Sequence, residues 1–552
     1  MVPPGWGPSA LRCLAIGAQI RSMTAPEISA VAGQGQIPRS TASTLLRDPI
    51  LVTIHRRPPL QEGAAEHFGP SDPPRGWDLT QNPRIARLLR QRSFQFLLIL
   101  PNQIIFWTVI FVGLLGTAIP GLNFGTAITW YVWFCLVFVL MVVVGRAWCT
   151  MCPFGGFGEW IQRRTLWQRT QKTLGLGRKF PEPLARYGFI LPVATFLLLT
   201  GIEEFFNIAG PGTPAATSWM VVGIVSSALV FFLVFERRTF CRYLCPLTAL
   251  IGTVGSMGAV AGFRTRDRSV CLSCQTKDCM RGGENGFGCP WYTWPASADS
   301  NLACGLCSEC YKACPAGNIG MYLQMPLTSV IAPKRRRADV AWAIALLWGL
   351  VLYQQINALS IYGTVDVWLN AHLAFPRYPD PVAYLGLIAG FAAVTAGAMW
   401  IIGRLFARKD VTFAAAGNFL DRRSRFRAYF LPLCYGLIPV VGADYFARQL
   451  PKFFQHSLRV VPAVQRTFGY QAAIRSPLYQ ARLLSDPHIV AVQVATIIVG
   501  TFAALWSTWK ITGREVMQVS RGGAAVRVAS LGLVLVCGAV ASVLYVMINA
   551  AD

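Results

Sequence analysis

The chain has 552 residues, 54% of them hydrophobic and only 14% charged, with 50 Lys and Arg against 25 Asp and Glu for a formal charge of +25. Such a balance is too apolar for one soluble domain, and the apolar residues fall in blocks, which predicts a polytopic α-helical membrane protein. The positive charge is no sign of nucleic acid, which is excluded as a partner, because the basic residues gather in short loops beside apolar stretches, the distribution that orients membrane proteins.

In chain order, residues 1–80 hold no stretch long enough to cross a bilayer and mix Pro, Gly, Ser and charge, which predicts a flexible cytoplasmic tail, with Met23 as an alternative start. Apolar stretches of about 18 residues or more follow near 95–119, 126–146, 187–208, 218–236, 340–362, 383–403, 427–447, 489–509 and 528–549, which predicts about nine spans in lipid. A tenth stretch, 247–263, is short and rich in Gly and Ala and is expected to re-enter the membrane or lie on its surface. The expected organisation is an N-terminal membrane domain of four spans (81–263), a Cys-rich segment (264–337) and a C-terminal membrane domain of about five spans (338–552).

Orientation follows from charge. Arg84, Arg87, Arg90 and Arg92 precede the first span, and Lys334 to Arg337 precede the fifth, so these loops and the Cys-rich segment are expected in the cytoplasm of a bacterial inner-membrane protein. The connections near 119–125 and 205–217 lack Lys and Arg and belong outside; the loop 448–487 fits poorly, since it carries Arg448, Lys452, Arg459 and three more arginines. No charged residue is read inside the C-terminal spans.

Twelve of the 16 cysteines lie between 149 and 314. Cytoplasmic thiols stay reduced, which argues for metal over disulfides. Cys304-Gly-Leu-Cys307-Ser-Glu-Cys310-Tyr-Lys-Ala-Cys314-Pro315 has the C-x2-C-x2-C-x3-C-P spacing of bacterial-type ferredoxins, and four close thiolates followed by Pro favour iron–sulfur over zinc. Upstream, Cys271-Leu-Ser-Cys274, then Cys279 and Cys289-Pro290, read as a second half with insertions. Where two clusters share such runs, the fourth Cys of each serves the other cluster. This assigns Cys271, Cys274, Cys279 and Cys314 to one [4Fe–4S] cluster and Cys304, Cys307, Cys310 and Cys289 to the other, in a small α+β ferredoxin-like domain.

Two further pairs close spans: Cys149-Thr-Met-Cys152-Pro153 and Cys241-Arg-Tyr-Leu-Cys245-Pro246. All four thiols are expected at one membrane-edge redox or metal site, with Arg146, Arg237, Arg238 and Arg242 lowering their pKa.

Gly145-Arg-Ala-Trp-Cys149-Thr-Met-Cys152-Pro153 and Arg238-Thr-Phe-Cys241-Arg-Tyr-Leu-Cys245-Pro246, followed by a double ferredoxin run, resemble the membrane polyferredoxins typified by NapH, NosR and FixG. The resemblance covers roughly 95–337 and implies electron transfer between quinone or a cytoplasmic donor and a partner redox protein. The chain departs from that pattern in its first pair, C-x2-C-P where the family shows C-x3-C-P, and in its further spans after 337. An alternative is an assembly factor whose paired thiols bind or reduce copper for a respiratory enzyme. His55, His67, His372, His456 and His488 lie outside the apolar cores, so no paired intramembrane haem ligands are read, and Glu203 and Glu204 are candidate proton acceptors from a quinol.

Overall fold

The computed structural model describes residues 76–167, 174–208, 214–333, 336–372, 379–406, 422–515 and 523–550; most of the predicted tail, with His55 and His67, lies outside the described residues. The N-terminal membrane helices are α1 (Phe94–Leu115), α2 (Phe124–Val144, π-helical over Ala127–Trp133), α3 (Pro153–Arg163), α4 (Ile190–Phe205), α5 (Pro214–Val234) and α6 (Pro246–Gly255). The C-terminal ones are α7 (Ala338–Ile356), α8 (Pro379–Phe406), α9 (Arg422–His456), α10 (Asp486–Glu515) and α11 (Gly523–Ala550). Among the described residues, eight helices, α1, α2, α5 and α7 to α11, are long and apolar enough to cross a membrane, where nine were expected.

The remaining stretch, 187–208, does form a helix, but this helix, α4, has 16 residues, a length of about 24 Å. It nonetheless runs the length of α7. The backbone N–H of Phe189, just before α4, donates to Asp339 at the start of α7 (2.8 Å), and Glu204 in its last turn accepts from Asn357 just past the end of α7 (2.7 Å).

Both Cys-Pro pairs fold the same way, and the dipeptide dictates it. Proline fixes φ and lacks an N–H, which suits the first position of a helix, and it holds the preceding residue extended. Cys152 (φ −66, ψ 125) and Cys245 (φ −59, ψ 118) are accordingly the N-caps of α3 and α6. Neither helix reaches crossing length; both are short helices wedged among the spans. Gly156 meets Ile99 of α1 and Gly158 meets the Phe232 ring of α5, so glycines let α3 press between those two helices. Phe154 packs edge-on against Phe106 (ring centroids 5.0 Å), and the Gln103 amide reaches the Pro153 carbonyl (3.2 Å), midway along α1.

Helix α6 is buried throughout and lies antiparallel to α9: Val254 meets Gly442, while Leu247 and Leu250 share a cavity wall with Tyr445 and Arg448. Its far end, Gly255, abuts Gly145 at the end of α2. The expected re-entrant segment at 247–263 therefore divides into this buried helix and a strand. Cys152 and Cys245 start these short helices where they wedge among the longer ones.

A three-stranded antiparallel sheet of β1 (Trp77–Asp78), β2 (Val260–Thr265) and β3 (Ile319–Leu323), in the order β1-β3-β2, frames the Cys-rich segment. Its strands begin before both expected boundaries, at 77 rather than after 80 and at 260 rather than 264. Asp78 is held by Arg266 (2.8 Å), so the end of the predicted tail belongs to the sheet. In the poorly fitting loop 448–487, Arg448 pairs with Glu204 (3.7 Å), Arg482 with Asp486 (2.8 Å), and Arg459 donates to the Tyr479 carbonyl (3.0 Å). The expectation of no charge within the C-terminal spans is wrong, because Asp444 is fully buried in α9.

Candidate metal centre

The thiols of 271–314 gather in two groups. Burial first, and then the neighbouring thiols of Cys314, Cys271, Cys274 and Cys289, push Cys279 up to about 12. Cys310 is raised well above the usual thiol range by burial and by Cys289, Cys307, Cys304 and Cys279. Cys314 thus lies by the upstream run and Cys289 by the downstream one, with Cys279 and Cys289 also near the other group. The groups adjoin, since the Cys289 N–H donates to the Cys279 carbonyl (2.8 Å). Left-handed Leu306 (φ 53) and Ser308 (φ 60) curl the chain between Cys304 and Cys310.

The first group is fastened to β2: Thr265 Oγ1 and Asn318 Nδ2 lie 3.0 and 3.4 Å from Cys271 Sγ. The second group leans on the same strand, where Gly262 (φ +89) at a β-bulge lets the backbone approach Cys304 so closely that a Cβ would stand 2.7 Å from its Sγ.

The surroundings fit an iron–sulfur cluster. Buried donors at Arg264 Nη1, Trp291 Nε1, Ser308 Oγ and Trp148 Nε1 have no hydrogen-bond partner in the protein. Sulfide and thiolate sulfurs would accept from such groups, whereas a buried orphan donor otherwise costs on the order of 1–3 kcal/mol. Among the described residues no three His, Cys, Asp or Glu side chains come close enough to hold a single metal ion. His372, His456 and His488 are not brought together as ligands of one ion.

Cys149, Cys152, Cys241 and Cys245 form a third group, each thiol influencing the others. Backbone N–H groups of Gly155 at α3 and of Leu247 and Thr248 at α6 point at Cys152 and Cys245, as helix N-termini do toward anions. Burial outweighs them, pushing Cys152 up to about 12 and Cys245 to about 11. The expected lowering by nearby arginines is therefore corrected for Cys152, Cys241 and Cys245: desolvation penalises the thiolate more than the cations favour it.

The arginines serve instead as ties. Arg238 donates to the Cys149 carbonyl (2.6 Å) and to Glu159 (2.7 Å), Arg237 to the Cys289 carbonyl (2.8 Å), and Arg146 to the Leu302 carbonyl while stacking over Trp291 (4.3 Å). Thr150 Oγ1 donates to the Gly305 carbonyl. The third group is thus clamped beneath the loop carrying Cys304 and Cys307, and Arg238 feels both Cys241 and Cys307.

A cavity on the far side of α6 is walled by Leu247 and Leu250, by the rings of Trp130, Phe134, Phe138 and Tyr445, and by Glu203, Arg448 and Lys452. Of these, sequence assigns a chemical role to Glu203 alone, Arg448 and Lys452 being read as topology signals. Trp130, Phe134 and Phe138 stand four residues apart on one face of α2, a spacing legible in sequence, whereas Tyr445 and the charged residues reach the cavity from other helices.

Among the described residues, eight apolar helices of crossing length point to a multi-pass membrane protein, and most of the free thiols lie between 149 and 314. Residues 126–173 and 217–263 each match a family model described as a 4Fe-4S binding domain. The two matches coincide with α2–Cys-Pro–α3 and α5–Cys-Pro–α6, so the same unit occurs twice in the chain. No curated protein and no solved structure matches it.

Proposed function

We propose that this chain is a membrane electron-transfer protein that passes electrons between a quinone or cytoplasmic donor and a partner reductase. Cys271, Cys274, Cys279 and Cys314 would hold one [4Fe–4S] cluster, and Cys304, Cys307, Cys310 and Cys289 a second. Cys149, Cys152, Cys241 and Cys245 would hold a further redox-active iron–sulfur group, the reading favoured by the two 4Fe-4S matches that contain these pairs. Bound clusters supply reversible one-electron chemistry; the chain fixes their spacing, dries their surroundings and aims N–H groups at their sulfurs.

The single observation that carries the proposal is the clamp between the third group and the Cys304–Cys310 loop through Thr150, Arg146 and Arg238. Rigid, adjoining thiol groups are what serial electron transfer needs, and a buried third group carries that series from the sheet into the helical layer. The aromatic cavity beyond α6 is the candidate place for a quinone ring, with Glu203 as its nearest carboxylate.

Iron and acid-labile sulfide analysis of anaerobically purified protein tests this. The expected content is about twelve of each per chain for three four-iron clusters, or about eight if the third group binds none. Zinc without labile sulfide would end the proposal. Copper at Cys149 and Cys241, retained after the other clusters are extracted, would favour the assembly reading instead.

A further inference from the structure

One carboxylate in the C-terminal helices has no place in the electron path. Asp444 lies within α9 with 0% of its surface exposed. Gln355 Nε2 of α7 donates to its Oδ1 at 2.6 Å, and the Tyr545 hydroxyl of α11 donates to its backbone carbonyl at 3.2 Å. The other carboxylate oxygen, Oδ2, and the Gln355 amide oxygen have no well-formed hydrogen bond, while the Tyr545 hydroxyl also approaches both side chains, and among the described residues no salt bridge reaches Asp444.

Two buried acceptors on paired side chains without a well-formed hydrogen bond are the mark of a missing hydrogen. A primary amide and a neutral carboxyl complement each other, the amide N–H meeting one oxygen while the acid O–H serves an acceptor. An ionised carboxylate in the same place presents only acceptors, in surroundings that strongly disfavour a lone charge. Carboxylates inside the apolar layer without a partner cation commonly serve proton movement.

A cavity lies one residue away along both α7 and α9. Gln354 and Tyr445, the sequence neighbours of this pair, line the cavity that also carries Glu203, Arg448 and Lys452. Arg448, one turn beyond Asp444, is engaged by Glu204 at 3.7 Å. The groups facing this region are therefore Arg448 and Lys452 from α9, Glu203 and Glu204 from α4, Tyr384 from α8 and Tyr545 from α11, while α10 contributes the neutral Gln493.

We propose that Asp444, paired with Gln355, is a proton-binding site within the C-terminal helices that exchanges its proton through the cavity bearing Glu203 and Lys452. The step is a simple protonation of Oδ2 with no electron transferred, and it does not depend on the cluster assignments. It gives the C-terminal helices a task, coupling a change in their packing to proton uptake.

Infrared difference spectra of the full-length protein in lipid vesicles, recorded between acidic and alkaline pH, test this. The expected result is a carboxylic C=O band that disappears as pH rises, is missing from Asp444→Asn, and returns at a shifted frequency in Asp444→Glu. The asparagine variant keeps an oxygen for Gln355 and so preserves the contact between α7 and α9. Wild-type and Asp444→Asn difference spectra that coincide would overturn the proposal, as would a band assigned to Asp444 that is unchanged across the pH range, since the residue would then be only a fixed crosslink between helices.

Discussion

Arg238 and Glu159 form an ion pair of 2.7 Å in which the guanidinium is 0% exposed and the carboxylate 3%. The same arginine donates to the Cys149 carbonyl, and Glu159 is also met by Arg163 at 2.8 Å. The pair therefore positions one Cys-Pro turn against the other. Removing the carboxylate in Glu159→Gln strands a buried cation, which costs about 3–5 kcal/mol, and should loosen the third thiol group before the other two. Thermal unfolding in detergent measures the loss of stability, and iron content shows whether the third group fails first.

Glu159 also sets a pH dependence. Burial acts to raise its pKa, but Arg163 and Arg238 outweigh it and hold the folded value below the usual carboxylate range. A depressed folded pKa contributes stability that is present above the unfolded value of about 4.3 and is lost as pH falls through the folded value. Wild-type protein should thus lose stability on the acid side along a steeper course than Glu159→Gln, with parallel curves near neutrality. Unfolding midpoints across acidic pH check this, and identical slopes would refute the assignment.

Gly262 is constrained twice. Its φ of +89 is open chiefly to glycine, and an added Cβ would stand 2.7 Å from Cys304 Sγ and 3.0 Å from Cys304 Cβ. Gly262→Ala should cost on the order of 1–3 kcal/mol in backbone strain and displace Cys304. The proposed second cluster, with Cys307, Cys310 and Cys289, should be lost while the first, with Cys271, Cys274, Cys279 and Cys314, remains. Low-temperature EPR of the reduced protein would show one cluster signal removed. Retention of every signal would argue against Cys304 as a ligand.

The thiol groups were legible because ligand spacing is local: a loop that wraps a cluster writes its geometry into a few consecutive residues. The expected pairing of Cys314 with the upstream run came from the same logic, and Cys279 has Cys314, Cys271, Cys274 and Cys289 as neighbouring thiols. What sequence concealed depends on tertiary approach. Helix α3 carries Gly155, Gly156 and Gly158 in place of an apolar run, and those glycines reveal a wedge only once Ile99 and Phe232 are seen against them. The arginines beside the Cys-Pro pairs read equally well as topology signals, and only the carbonyls of Cys149, Cys289 and Leu302 show them as ties. Asp444 was missed because one acid in a long apolar stretch barely changes its hydropathy.

Arg264 offers the most direct reading of electrostatics at the second thiol group. It lies on β2 two residues beyond Gly262, buried, with Cys304 and Cys310 among the groups that act on it and with Nη1 unpartnered. A cation beside a cluster favours the reduced, more negative state, and an N–H directed at sulfur acts in the same direction. Arg264→Gln removes the charge while keeping an amide donor, so the reduction potential of the adjacent cluster should become more negative. The scale is roughly 60 mV for each 1.4 kcal/mol of lost attraction in a one-electron step. The proposed cluster at Cys271, Cys274, Cys279 and Cys314, none of which is among the groups acting on this guanidinium, should shift less. An anaerobic EPR-monitored redox titration separates the two: a selective negative shift of one signal is expected, and equal shifts of both would show that Arg264 acts through the fold rather than on the neighbouring cluster.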